Sequence, residues 1–271
     1  YKQLIIMKKI FLIATILFFQ NYLLIAQSGH SKDCGMVTFE RVLNFDSNPQ
    51  SSSFSLFFNP NFSVFYENRK EPQEDAILKP SSDDEFDLSF DVKFNGSKYI
   101  VLTNIETDSI QSQVSLFCNG KQQTYIVEEK INTINWKIEN EFKTVNDLKV
   151  QKAIGEFRGR KYIAWFSNEI PVKYGPWKLN GLPGLILNVA DDKNEVMFYV
   201  KTIKIPLESE STAKNDFQFN CDIEKISLAE YVKLKEQQVE EVMKLFNSKL
   251  PRRAFIDITN SRSNDIEIEY E

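Results

Sequence analysis

The sequence contains one histidine, His30, and three cysteines among 271 residues. A lone imidazole leaves no His-rich metal site. It is also a poor triad member, because His30 sits in a Ser-Gly-His-Ser stretch close to the N-terminal end. No Cys-x-x-Cys occurs, which excludes a redox or zinc motif of that kind. Glycine and proline number nine each, too few for a collagen-like or low-complexity chain. Basic residues (33) are outnumbered by acidic ones (38), so the general attraction to phosphate on which nucleic-acid binding rests is missing. There is no glycine-rich phosphate loop. Asp191-Asp192-Lys193-Asn194-Glu195 offers oxygen donors but not the Asp-x-Asp-x-Asp-Gly pattern of a calcium loop. No cofactor and no metal is expected. Adjacent acids at Asp83-Asp84-Glu85, Asp191-Asp192 and Glu240-Glu241 are the only candidates for paired-carboxylate hydrolysis. Adjacent acids in turns are normally solvated, and Asp191-Asp192 fits the start of a hairpin better.

Long hydrophobic runs are also absent. The longest largely apolar stretch, about Ile10 to Phe19, falls short of the roughly 20 residues that span a bilayer. It follows Met7-Lys8-Lys9 and leads to Ala26-Gln27. This order predicts a secretory signal peptide over 1–26, with the true start at Met7 and cleavage after Ala26. Residues 27–271 are then expected to form one exported domain without a transmembrane span, in the periplasm or at the outer-membrane periphery. Cys34, Cys118 and Cys221 all fall in that part. An odd count leaves at least one thiol unpaired, and a single bridge has three alternative connectivities.

What is abundant is phenylalanine, at 22 residues, and period-two alternation. Phe86–Phe94 is the cleanest case, with five apolar residues on one face and four polar ones on the other. Asn95-Gly96 and Asn119-Gly120 supply the positive φ angles of tight hairpin turns. Further strands are expected at Val37–Phe45, Phe54–Phe58, Phe62–Tyr66, Tyr99–Leu102, Val114–Cys118, Thr124–Glu128, Thr133–Ile138, Val150–Phe157, Lys161–Phe166, Gly184–Ala190, Glu195–Ile203 and Asp265–Tyr270. Ser227-Leu228-Ala229-Glu230 reads as a capping box opening a helix. Its apolar stripe is Leu228, Tyr231, Val232, Val239, Val242, Met243 and Phe246, and Pro251 ends it. Such a stripe packs on the chain's own sheet more often than on a partner. The fold class expected is mainly β with one helix in the C-terminal region: a single curved antiparallel sheet or half-barrel, connected by hairpins.

The stretch from Ala164 to Val189 carries the most information. Gly175-Pro176 and Pro183-Gly184 are two fixed corners, the second expected as a type II turn with Gly184 at positive φ. Gly181 lets the chain enter closely, and Leu185-Ile186-Leu187 reads as a buried strand. Trp177 lies between the corners, either as an anchor for a ligand or partner or as a plug for the sheet's own core.

Gly181-Leu182-Pro183-Gly184-Leu185-Ile186 resembles the motif that names the GLPGLI family of exported Bacteroidota proteins. The flanks agree: Gln151-Lys152-Ala153, Phe157-Arg158-Gly159-Arg160, Ala164-Trp165-Phe166, Glu169-Ile170-Pro171, Gly175-Pro176-Trp177 and the acidic Asn264–Glu269. A cysteine that often precedes Gln-Lys-Ala in the family is Val150 here. The resemblance implies an exported protein of largely unknown activity, often associated with TonB-dependent outer-membrane receptors, on a half-barrel fold similar to carriers of apolar ligands. It brings no catalytic residues. The expected binding residues are Trp165, Trp177, Leu182 and Pro183, and the expected structural turn uses Gly175, Pro176, Gly181, Pro183 and Gly184. The reading that follows is an envelope binding or accessory protein and not an enzyme, with an outer-membrane receptor or a hydrophobic ligand as its partner. The alternatives are a carboxylate-based periplasmic hydrolase and a purely structural module.

Overall fold

In the computed structural model, the described residues are 34–45, 49–68, 99–118, 121–207, 222–249 and 266–270. The expected signal peptide, the Phe86–Phe94 alternation, both Asn-Gly turns and Cys221 lie outside them. The strands are β1 (Gly35–Leu43), β2 (Gln50–Phe58), β3 (Phe62–Glu67), β4 (Ile100–Asn104), β5 (Ser109–Cys118), β6 (Lys121–Lys130), β7 (Lys137–Val145), β8 (Leu148–Phe157), β9 (Arg160–Ser167), β10 (Leu185–Asp191), β11 (Val196–Lys204) and β12 (Glu224–Ser227). One helix, α1 (Leu228–Lys249), follows β12 directly. All twelve strands join one sheet in the order β12-β6-β5-β4-β3-β2-β1-β11-β10-β9-β8-β7.

The sheet has the expected mainly antiparallel character: neighbouring pairs are antiparallel except β12 with β6, whose parallel pairing makes it mixed. Two-residue connections dominate the end of the sheet that carries β7. Asn146-Asp147, both at positive φ, joins β7 to β8, and Arg158-Gly159 joins β8 to β9 in the same way.

The sheet is open but curled. β6 and β8 stand nine steps apart in the strand order. At about 4.8 Å per step a flat sheet would separate them by roughly 40 Å. Yet Arg158, at the end of β8, forms an ion pair with Glu129 of β6. The curl thus brings the two ends of the sheet together around a concave face. Alternation sets which side chains enter it: in β9, Arg160, Tyr162, Ala164 and Phe166 are buried, while Lys161, Ile163 and Trp165 are more exposed.

Two elements fill the concavity. Leu228, Tyr231 and Leu234 of α1 pack on Leu116, Tyr125, Val127 and Ile226, so this end of the helix covers its own sheet. Its start is capped as expected by the Ser227 hydroxyl, which accepts the Glu230 N–H at 3.2 Å. The segment 168–184 fills the rest. Its Tyr174, Trp177, Leu179 and Leu182 join a core with Phe39, Phe54, Phe58, Phe65, Phe157 and Phe198.

Two strand expectations fail. Residues 131–136 are irregular and β7 starts only at Lys137. Residues 266–270 show the Ile/Glu alternation of a strand but pair with none of the described strands; their polar groups are taken by side chains and by one turn carbonyl.

Candidate functional site

The segment between β9 and β10 doubles back twice, and backbone hydrogen bonds hold each fold. Leu185 N–H donates to Ile170 O at 2.9 Å, Gly181 N–H to Lys173 O at 2.9 Å, and Ile186 N–H to Tyr174 O at 3.0 Å. At the tip, Leu179 N–H donates to Pro176 O at 3.2 Å and closes a four-residue turn. Trp177 is its first central residue, with φ +59°. Glycine normally takes that position, and a bulky side chain held there costs roughly 1–3 kcal/mol. The surroundings hold it. The indole ring is 3% exposed, meets Phe157 edge-on at 5.5 Å between ring centres, and faces the Tyr99 hydroxyl.

The second corner differs from expectation. Gly184 does not have a positive φ; Gly181 does, at +95°. Gly184 is needed for a different reason. A Cβ there would lie 2.1 Å from the Ser167 carbonyl oxygen, because the chain passes against the end of β9. Leu182 is buried as an anchor, while Gly181 and Pro183 are exposed. Trp136, facing Gly181, fixes the corner by donating its indole N–H to Asn180 O at 2.8 Å. Ile134 to Ile138 and Gly181 to Pro183 line a shallow groove of about 580 Å³.

The next residue of the tip, Lys178, carries no signal in the sequence. Its ammonium is buried between Glu129 of β6 at 2.5 Å and Glu267 at 2.6 Å. Burial alone would push its pKa down, but Glu267 and Glu129 outweigh burial and hold it above the ordinary lysine value. Arg158 shares Glu129, so two cations and two carboxylates form one cluster. Tyr99 beside it is pushed up to about 12, chiefly by burial, and stays a hydrogen-bond donor at neutral pH. A chamber of about 100 Å³ lies among Tyr99, Ser112, Val114, Val127, Trp177, Lys178, Tyr231 and Glu267.

A second ion cluster sits at the rim. Arg160 is buried against Asp191 at 2.7 Å and Glu195 at 2.6 Å. The other oxygen of Asp191 accepts the Glu195 and Val196 N–H groups. Asp191 therefore anchors the β10–β11 hairpin. It is the one buried acid lining an open groove of about 480 Å³ at this rim; Glu156, Asp192 and Glu269 are exposed there.

The doubled-back segment brings Trp177, Leu182, Pro183, Gly175, Pro176, Gly181 and Gly184 into one braced unit, with Gly175 and Pro176 buried. Trp165 is apart from it. It lies on the opposite face of β9, half-exposed, with the Lys143 ammonium 3.9 Å from its ring centre. No local signal marks Lys178, Glu129 and Glu267 as partners, because they are far apart in sequence. Arg158 and Arg160, too few for nucleic acid, prove to be cations of the two buried clusters.

One family model and several solved structures resemble this chain. Residues 122–188, about a quarter of the chain, match the model of a family described as "Protein of unknown function (Porph_ging)". The matched stretch runs from β6 through the corner, and it suggests a Bacteroidota-type family. No curated protein matches the chain. Among solved structures, PNGF-II superposes with a TM-score of 0.51 at 13% identity, over 76% of this chain and 34% of that one. The chain thus spans about a third of the length of PNGF-II, and at this identity the likeness is one of fold. An uncharacterized conserved protein from Thermus thermophilus superposes with a TM-score of 0.36 at 9% identity, over 72% of this chain and 91% of that one. A putative outer membrane lipoprotein-sorting protein domain from Vibrio parahaemolyticus gives 0.26 at 10%, over 72% and 95%.

Proposed function

We propose that the chain is an exported cell-envelope binding or accessory protein of the GLPGLI type. In this reading it docks on an outer-membrane partner such as a TonB-dependent receptor and catalyses no reaction. The observation that carries this is the corner at Gly181–Pro183. It is exposed, yet rigid: Leu182 anchors it below, Trp136 clamps it from the side, and Gly184 is pressed against β9. A preorganised apolar corner beside a shallow groove loses little freedom on binding, which favours recognition by shape. For an apolar ligand the available walls are Trp136 and Ile138 in that same groove. Among the described residues, the chamber beside Trp177 is about 100 Å³, with room for about three waters. The hydrolase alternative gains no support from the rim groove, where the buried acid Asp191 is committed to Arg160 and two backbone N–H groups.

The test places a photo-crosslinking residue at position 183 of the full chain and irradiates cells or intact envelopes. The expected result is a cross-link to one outer-membrane protein, absent when the probe sits at Glu141 on the edge strand. An exported, folded protein that cross-links equally at both positions, or at neither, would overturn the reading.

A further inference from the structure

The strap Ile266–Tyr270 lies against the Arg158–Arg160 turn, Lys178 and α1 without joining any described strand, and the chain holds it as a protein holds a bound peptide. Arg160 donates from Nε to Ile266 O at 3.2 Å. The N–H groups of Ile268 and Glu269 both donate to Arg158 O, at 3.0 and 3.3 Å. These contacts read a peptide backbone. The side chains are read as well. Glu267 meets the Lys178 ammonium inside the buried cluster. Lys235 of α1 donates to the Tyr270 hydroxyl at 2.7 Å, and Tyr231 meets the Tyr270 ring edge-on at 6.1 Å. Gly159 keeps the wall flat, since a Cβ there would stand 3.0 Å from Ile268 Cβ and Glu269 Cγ. The strap does not fill its seat. The rim groove of about 480 Å³ continues beside Ile268 and Glu269, with Lys161 and Lys193 at its border.

We propose that this seat is a peptide-docking site, occupied here by the chain's own strap. It takes in exchange an extended acidic–apolar segment of a partner polypeptide with the pattern apolar–Glu–apolar–acidic–Tyr. The buried cluster sets the charge requirement. Without Glu267, the buried Lys178 keeps one of its two carboxylates, Glu129, which Arg158 shares, so an incoming segment must bring a carboxylate to the same point. The backbone contacts set the polymer class, because a lipid or free acid satisfies Glu267's place but not the Arg158 carbonyl and Arg160 Nε. The seat is distinct from the Gly181–Pro183 corner. If peptide exchange fails while cross-linking at 183 succeeds, the seat falls and the docking reading stands.

The experiment titrates a labelled peptide, Asp-Ile-Glu-Ile-Glu-Tyr-Glu, into full-length wild type and into the full-length double variant Glu267→Gln/Tyr270→Ala, whose own strap is weakened. Fluorescence anisotropy should give about tenfold tighter binding to the variant. A peptide with Gln in place of its first Glu should lose about tenfold. Equal binding to both proteins, or indifference to that Gln, overturns the proposal. Should the variant fail to fold by circular dichroism, hydrogen exchange on wild type decides. Ile268 and Glu269 amides exchanging well before those of β10 support exchange of the strap; exchange only with global unfolding overturns it.

Discussion

Replacing Gly184 with alanine adds one carbon where the chain has no space for it. The new Cβ would lie 2.1 Å from the Ser167 carbonyl oxygen, 2.5 Å from its carbon and 2.9 Å from the Asn168 nitrogen. All three are backbone atoms, so no side chain can rotate away, and relieving the contact means moving the strands themselves apart. Forced overpacking of a core costs about 1–3 kcal/mol and sometimes more. The upper end applies here, because parting also strains the Leu185–Ser167 pairing at the start of β10. Gly181→Ala is the matched control. Its Cβ meets nothing closer than 3.9 Å, so its cost is that of φ +95° alone, about 1–2 kcal/mol. Urea unfolding followed by circular dichroism should place Gly184→Ala below Gly181→Ala, and Gly184→Val lower still. Equal midpoints, or Gly181→Ala the weaker, would refute the argument that close approach, not dihedral angle, demands glycine at 184.

The ion cluster and the tip give the remaining expectations. Lys178→Met leaves Glu267 without its buried partner and should cost about 3–5 kcal/mol in the same urea assay; a loss below about 1 kcal/mol would mean the cluster opens to water. Trp177→Ala removes a buried indole and its Phe157 contact, for about 3–5 kcal/mol by thermal melting, partly offset by relief of the +59° φ strain; a stability gain would contradict the packing. Lys178 and Tyr99 both have folded pKa values above their unfolded ones. Each keeps its proton in the folded state after the unfolded chain has lost it, so stability should hold below about pH 10 and fall above it. A flat profile from about pH 9.5 to 11.5 would contradict that sign, and Lys178→Met should shallow the slope.

Much of the sheet is legible because a half-buried strand writes its pleat into the sequence. Phe54–Phe58, Phe62–Tyr66 and Val150–Phe157 all fall inside observed strands. The edge strand β7 escapes such a reading because almost none of its residues are buried, so Lys137–Val145 shows no apolar alternation. The opposite error arises at Ile266 and Ile268. Their alternation is real, but Glu267 enters the buried cluster while Ile268 and Glu269 border the rim groove, and no described strand pairs with them. The braced corner is visible as a cluster of glycine and proline, whereas the reason for Gly184 is not. Close approach to Ser167 is a tertiary fact, as is the meeting of Lys178 with carboxylates contributed by a distant strand and by the strap.

The proposed docking depends on the exposed corner being a contact surface held rigid from within. The most direct measurement is the cross-linking yield from position 183, compared between the otherwise wild-type chain and the same chain carrying Trp136→Ala, with export and melting monitored in parallel. The expected result is one outer-membrane adduct whose yield drops severalfold once the Trp136 clamp on Asn180 is gone, while the protein stays folded. No adduct from the folded, exported protein, or a yield that ignores Trp136, would contradict it.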